Sequence, residues 1–273
     1  MTTNPHPVGS YFDDIASDYA IRYKKERPYH YYLFHERLII ATRGIDLNSG
    51  CILDVGAGTG GLYDFIRENG GNDNYFAIDV SSQMMAQSRI PDARRRVGKL
   101  GEVDLPASEF DCIFILGVSS YLPPAELEMV LRKATELLSP AGKLIVSYSN
   151  LRGLDWKIRR LIRYFWRGRG VAGQSFETFA YAPSQLALPQ GLRQTSSVWY
   201  NSTITPFNTL MPRTSVWFGR MMDRYLPLFM KKVIGADIVV QYVLDHDQSR
   251  RSLGPGRGDG PASLPETASP NGR

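Results

Sequence analysis

Cysteine is nearly missing from this 273-residue chain: Cys51 and Cys112 stand far apart, each in an apolar stretch and neither in a CxxC pair. A disulfide framework or a Cys-based zinc site is therefore not expected. Long apolar runs are missing too, and no stretch reaches the roughly 20 residues that span a bilayer. The start, MTTNPHPVGS, has no basic end followed by an apolar run, so no signal peptide is expected and the cytoplasm is the default compartment. Histidine is scarce at four residues, and no metal-ligand cluster emerges from the pattern. What remains is a globular composition, 43% hydrophobic and 22% charged, long enough for one α/β domain with an appended region.

A net charge of +5 hints at nucleic acid until it is located. Residues 151–170 carry seven Lys or Arg against Asp155, so that segment alone is +6 and the rest is close to neutral. A binder of long nucleic acid would spread basic charge over a wider face, and none is expected here.

Residues 10–44 read as helical, with Gly44 as a stop. The rhythm then changes. CILDV, NYFAIDV, FDCIFILG and KLIVSYS read as short apolar strands, separated by the helical stretches GLYDFIREN, SSQMMAQSRI and AELEMVLRKATELL. Strand and helix alternating at this spacing imply a parallel sheet covered on both faces. After Asn150 the pattern loosens. An amphipathic helix at 154–166 sets Leu154, Ile158, Leu161, Ile162 and Phe165 against Arg159, Arg160, Arg163 and Arg167. Two further strands, 191–201 and 236–246, flank a Met- and aromatic-rich segment that is helical from about Thr214. The stretch from Gln248 has almost no apolar content and is expected to be disordered. The expected organisation is an N-terminal helical segment (1–46), a core (47–150), a lid and acceptor region with the last strands (151–246), and a tail (247–273).

ILDVGAGTGG follows a strand and opens a helix, the setting a nucleotide fingerprint needs. Gly56, Gly58 and Gly60 give GxGxG, whereas Gly56, Gly58 and Gly61 give the dinucleotide pattern GxGxxG. Asp54 argues against a pyrophosphate, which a neighbouring carboxylate would repel. It suits S-adenosylmethionine (SAM), whose ammonium it can accept from directly or through water. Asp79 ends the strand NYFAIDV 19 residues after Gly60, near the ~20-residue offset at which an acid reaches ribose hydroxyls. Either cofactor uses that second acid.

ILDVGAGTG, AIDVSSQMM, FDCIFILGVSSYL and LLSPAGKLIVS, in that order, resemble the successive motifs of class I SAM-dependent methyltransferases. YFDDIASDYA is similar to the segment that precedes the core in the small-molecule and quinone-biosynthesis branch. The resemblance covers residues 10–150 and returns weakly at 191–246. It implies a Rossmann-like, doubly wound, mostly parallel sheet with N-terminal helices and a helical lid. It also implies that Asp54 and the loop Gly56, Ala57, Gly58 and Gly60 hold the methionine end, and Asp79 the ribose. Val80 and Met84 would flank the adenine, Leu116 and Gly117 would line the methionine part, and Tyr11 and Tyr19 would close over the cofactor. KLGEVDLP departs from the family's third loop by one residue. Glu102 is then the candidate partner of the adenine amino group, with Val103 offering its backbone.

Each of these residues has a plainer reading. The loop can be a turn without a ligand, Asp79 a helix cap competing with Ser81 and Ser82, Met84 and Met85 core filler, and Tyr11 and Tyr19 helix packing. His30, His35, Tyr181 and Tyr200 are candidate acid–base groups outside the fingerprint, and the sequence does not choose among them. Methyl transfer from a sulfonium needs alignment and exclusion of water more than a base, and no Ser, His and Asp constellation is seen. The aromatic region after Asn150 suits an apolar or aromatic acceptor, small or lipid-like. The basic helix either packs on the domain or touches an anionic membrane through 154–167. Alternatives are an RNA or protein methyltransferase, a nicotinamide oxidoreductase, or a non-catalytic SAM-binding module. GVSSYL stands where base-amino methylases carry an NPPY-like tetrapeptide, which argues against the first.

Overall fold

The four residues Ile52–Val55 (β1) are all buried, and the rest of the chain is built around them. The structure, a computed structural model, describes residues 7–105, 109–166 and 177–245. The expected tail from 247 lies outside the described residues, as does Arg167. Before β1 come two helices, Pro7–Arg22 (α1) and Pro28–Thr42 (α2). After it come Gly61–Glu68 (α3), Tyr75–Asp79 (β2), Ser82–Ala86 (α4), Arg95–Val97 (β3), Phe110–Ile115 (β4), Pro124–Glu136 (α5) and Leu138–Ser149 (β5). The remainder adds Leu154–Trp166 (α6), Leu192–Tyr200 (β6), Phe207–Leu210 (α7), Pro212–Tyr225 (α8), Leu228–Ile234 (α9) and Asp237–Leu244 (β7).

One seven-stranded sheet results, in the order β3-β2-β1-β4-β5-β7-β6. The first five strands pair in parallel, and β7 runs antiparallel to both β5 and β6. This is the Rossmann-like, doubly wound, mostly parallel architecture. Strand β3 escapes sequence reading because Arg-Arg-Val is short and charged. It forms because it borrows the register of β2, Ala77 facing Arg95 and Asp79 facing Val97, and an edge strand tolerates charge.

Period-two alternation divides the core between the two faces. Leu53, Val55, Ile113, Leu144 and Val146 pack with Leu127 and Leu131 of α5. Ile52, Ala77, Cys112 and Phe114 pack with Leu38 of α2 and Leu62 and Ile66 of α3. Each Val, Leu, Ile or Phe among them contributes about 1.5–3 kcal/mol on full burial. Asp54 shares the second face with Ile52, a placement that matters below.

The predicted buried stripe of α6 is rotated. Leu154 and Leu161 are exposed, whereas Asp155 is buried. Asp155 is the anchor: it accepts from Arg159 Nε at 2.6 Å and from the Thr205 amide at 2.8 Å. A carboxylate paired with one guanidinium and one backbone N–H can be buried in place of a leucine.

The segment joining β6 to β7 is pinned by Asp223. Its carboxylate accepts from Tyr32 Oη at 2.5 Å, Ser202 Oγ at 2.5 Å and the amides of Asn201 and Ser202. This ties α8 to α2 and to the end of β6. Asp223→Ala is therefore expected to lower unfolding stability by about 2–3 kcal/mol, the worth of hydrogen bonds to a charged group. Arg224→Ala, one residue on and exposed, should change it by less than about 0.5 kcal/mol, with urea unfolding as the comparison.

Candidate functional site

The carboxyl ends of parallel strands leave a crevice where the connections part to opposite faces. Here it holds a cavity of about 430 Å3, within the range of small-molecule sites. Three layers build it. The loop after β1 and the residues closing β2 and β4 supply the floor: Gly56, Gly58, Asp79, Val80, Met84, Leu116 and Gly117. The 98–102 loop and α5 supply one wall, and Val8, Phe12 and Tyr19 of α1 cover it.

The glycine loop has local reasons for its glycines. Gly56 has φ +78°, and a Cβ there would come within 2.1 Å of Val118 Cγ2. Gly61 has a packing reason: its Cβ would come within 2.2 Å of Phe34 Cζ. Gly60 takes the left-handed turn at φ +81°, and Gly61 lets α2 press on the start of α3.

Asp79 is the hinge of the floor. One carboxylate oxygen accepts from the Gly58 amide at 2.7 Å and the other from the Ser81 amide at 2.8 Å. Burial raises its pKa, opposed by those backbone N–H groups. The helix cap is Ser81, which accepts from the Met84 amide at 3.1 Å. Ser81 Oγ in turn donates to Asp13 at 2.6 Å, and Asp13 also accepts from the Gln83 amide at 2.9 Å. Asp13 thereby clamps α1 onto α4 and sets its Val8, Phe12 and Tyr19 face over the cavity.

Of the residues expected from sequence, Gly56, Gly58, Asp79, Val80, Met84, Glu102, Leu116, Gly117 and Tyr19 meet at this cavity. Five stand behind it. Ala57 packs with the α2–α3 side of the core and Gly60 makes the turn into α3. Val103 lies beneath Gly98, where a Cβ would come within 2.5 Å of it. Tyr11 sets its ring edge-on to Phe12 at 5.4 Å. Asp54, on the far face of β1, accepts from Tyr75 Oη at 2.5 Å. Burial raises its pKa to about 7, against the Tyr75 hydrogen bond, which lowers it, and with Asp79 adding repulsion. Asp54 thus braces the loop from below.

Other residues are reached only through the fold. On α5, Glu126, Met129, Val130 and Lys133 line the wall. Their spacing marks one helix face, distinct from the core face of Leu127, Leu131 and Ala134, and that is the signal that could have found them. Tyr121 joins the cavity from the turn after β4. Arg37 of α2 lies behind Gly117: a Cβ on that glycine would sit 2.5 Å from its Nη1. Its Nε donates to Tyr200 Oη at 3.1 Å, so Tyr200 is engaged by a cation. Tyr181 Oη donates to the Leu122 carbonyl at 2.5 Å. His30 stacks edge-on with Tyr23 and Tyr29, and His35 with Tyr31 and Phe65. Neither histidine is among the residues lining the cavity.

The cavity suits an adenosine-bearing cation. Asp79, free of a cationic partner among the described ion pairs, presents acceptor-only oxygens to hydroxyl donors. Val80, Met84 and Leu122 give apolar walls for a flat ring, and Gly58 has nothing within 4 Å of its missing Cβ, leaving the backbone open to a ligand.

Comparison with known proteins fits this geometry. The profile of the family described as Methyltransferase domain matches residues 53–144. Magnesium protoporphyrin IX methyltransferase from Synechocystis PCC 6803, solved with bound S-adenosylhomocysteine (SAH), shares the fold at 12% identity, covering 87% of this chain and 98% of that one with a TM-score of 0.58. A SAM-dependent methyltransferase of Thermotoga maritima does so at 13%, covering 87% and 99%, TM-score 0.56. A curated relative, the uncharacterized protein RP028 of Rickettsia prowazekii, is 26% identical over 124 residues, 43% of this chain and about half of that protein's length at 49%. Residues 53–144 carry a methyltransferase domain, and the fold is that of the class I SAM-dependent methyltransferases. SAM is the cofactor of that class.

Folding favours the protonated form of Asp54, whose pKa rises from an ordinary 3.8 to about 7. The stability it confers is complete below about pH 4 and is lost as pH climbs to about 7, on the order of 4 kcal/mol in total. Asp54→Asn should therefore match the wild type in urea unfolding at pH 4 and exceed it at pH 8. A mutant that lags further behind as pH rises would show that Asp54 is stabilised as the anion.

Proposed function

We propose that the protein transfers a methyl group from SAM to a small or lipid-like acceptor of apolar or aromatic character, by direct displacement. The observation that carries this reading is the two-sided cavity, with Asp79 and the glycine loop on one side and an apolar, aromatic cover from α1 on the other. In this reading Asp79 holds the ribose, Val80 and Met84 flank the adenine, Glu102 meets its amino group, and Gly56, Gly58, Leu116 and Gly117 receive the methionine end. The bound cofactor supplies an activated methyl group on a sulfonium.

The chain's own part is orientation and exclusion of water. Phe12 and Tyr19 cap the site, and Phe12 meets Tyr121 edge-to-face at 5.1 Å, sealing one side. The phenols here do not serve as bases near neutral pH. Burial raises Tyr19 well above the ordinary tyrosine value, and pushes Tyr121 up to about 12. Both remain hydrogen-bond donors, which favours an acceptor that arrives with its own available lone pair. A protein or RNA acceptor, or a SAM-binding module without catalysis, is the competing reading. Turnover of SAM against a panel of lipid, phenolic, peptide and RNA acceptors separates the three.

Calorimetry should show saturable SAH binding in the micromolar range and none for NADH; the reverse pattern would overturn the proposal. Asp79→Ala should weaken SAH binding by roughly 1.5–3 kcal/mol, the worth of hydrogen bonds to a charged group, in protein that still unfolds cooperatively. Unchanged affinity with collapsed stability would make Asp79 only a brace between Gly58 and Ser81.

A further inference from the structure

Among the described residues, most of the large apolar side chains left exposed fall between Leu151 and Val233, away from the cavity. Leu210, Trp217, Tyr225 and Phe229 are each at least 65% exposed, on α7, α8 and α9 in turn. The charge on the same segment is one-sided. Between Asn201 and Ala236 stand Arg213, Arg220, Arg224, Lys231 and Lys232, with Asp223 as the lone acid. Asp223 is turned inward and consumed by Tyr32 and Ser202, and among the described ion pairs only Arg220 of this set has a partner, Glu36 of α2 at 3.6 Å, so the outward face carries an excess of cations.

Helix α8 shows how the surface is made. Its inner edge is Val216, Gly219 and Asp223, and a Cβ on Gly219 would come within 2.8 Å of Thr203. The outer face sets Arg213, Arg220 and Arg224 among Trp217, Met221 and Tyr225, and these side chains, with Pro28, line a surface groove. The exposed Leu154 and Leu161 of α6 extend the same kind of surface, since α6 packs beside α9.

We propose that α7, α8 and α9, with α6 at their margin, form a docking surface for an anionic phospholipid bilayer. Rings and aliphatic side chains enter the interfacial layer, and the α8 groove takes a lipid phosphate between its arginines. Aromatic side chains with a polar tip favour that layer, and interspersed Lys and Arg draw the surface to anionic headgroups. A second copy of the chain fits poorly, because a self-complementary contact would bring these cations together. Among the described residues no helix is long and apolar enough to cross a membrane, so contact would be peripheral.

Topology gives the surface its purpose. The strands β5 and β6 end, and β7 begins, at the carboxyl edge of the sheet, and the helices α6 to α9 project from that edge. The cofactor cavity opens at the same edge. A bound bilayer would then hold a lipid-like acceptor at the edge of the sheet where the site opens, and for this purpose the inference rests on the acceptor reading above.

The test is co-sedimentation of the full chain with phosphatidylglycerol vesicles and with phosphatidylcholine vesicles, alongside SAH calorimetry. Binding to the anionic vesicles alone, weakening as sodium chloride rises, is the expected result. Arg213→Gln with Arg224→Gln should lower partitioning by roughly 30-fold, from about 1 kcal/mol per charge. Trp217→Ser with Tyr225→Ser and Phe229→Ser should abolish it with the charges intact. Both variants should keep the wild-type melting temperature and SAH affinity. Vesicle binding without SAH binding would sink the methyltransferase reading and leave the surface standing; SAH binding without vesicle binding would do the opposite. The proposal is also overturned if sodium phosphate binds the groove in calorimetry while the wild type ignores the anionic vesicles, which would make it a site for a soluble phosphate. It equally fails if the wild type is a dimer that the aromatic variant dissolves.

Discussion

A single hydrogen-bonded relay, Gly58 to Asp79 to Ser81 to Asp13, carries the arrangement of the site. Asp79 ends β2 and takes one backbone N–H from the β1 loop and one from the start of α4. Ser81, donating through its own N–H to Asp79, caps α4 and hands its hydroxyl proton to Asp13 on α1. Four separately encoded pieces of chain are thereby held in one geometry by two carboxylates. Backbone donors stabilise the charged form of Asp79 that burial alone would disfavour, so the relay can sit at the edge of a cavity. Remove it and the glycine loop loses its orientation, while the cover from α1 loses its clamp.

The two acids of the fingerprint have diverged in role for a geometric reason. Successive residues of a strand face opposite ways, so Asp54, in phase with Ile52, points toward Tyr75 and the α2–α3 side of the core. Asp79 is the last residue of its strand and escapes that alternation into the crevice. Equal spacing in the motif hides this difference. One acid is a buried brace close to its titration point, the other an accessible acceptor.

On the far side of Gly117 the chain places a cation, Arg37, among phenols. Tyr19 and Tyr121 feel its charge from the cavity side and Tyr200 accepts its Nε proton. A guanidinium taken from water needs charge or hydrogen-bond compensation, and Asp237 supplies part of it electrostatically from the first residue of β7. The last strand, the N-terminal helices and the floor of the cavity are thus coupled through one partly buried arginine.

Sequence alone determined the parallel core, because alternation of short apolar strands with amphipathic helices admits few other solutions. It also marked the cofactor loop, since glycines and acids at fixed offsets after a strand answer to local backbone geometry. The stretches 154–166 and 214–225 were legible as helices for the same local reason. Which way those helices face was not. Leu154, Leu161 and Trp217 have the character of core residues, yet a hydrogen-bonded carboxylate, buried Asp155 or half-buried Asp223, claims the inner edge of each helix. Only tertiary structure decided that, as it decided β3, whose Arg-Arg-Val is a strand only because β2 offers an unpaired edge. It also joined Phe12, Met129 and Tyr121 around one cavity. Periodicity reports what a segment can bury; which surface it buries depends on hydrogen bonds between residues as far apart as Tyr32 and Asp223.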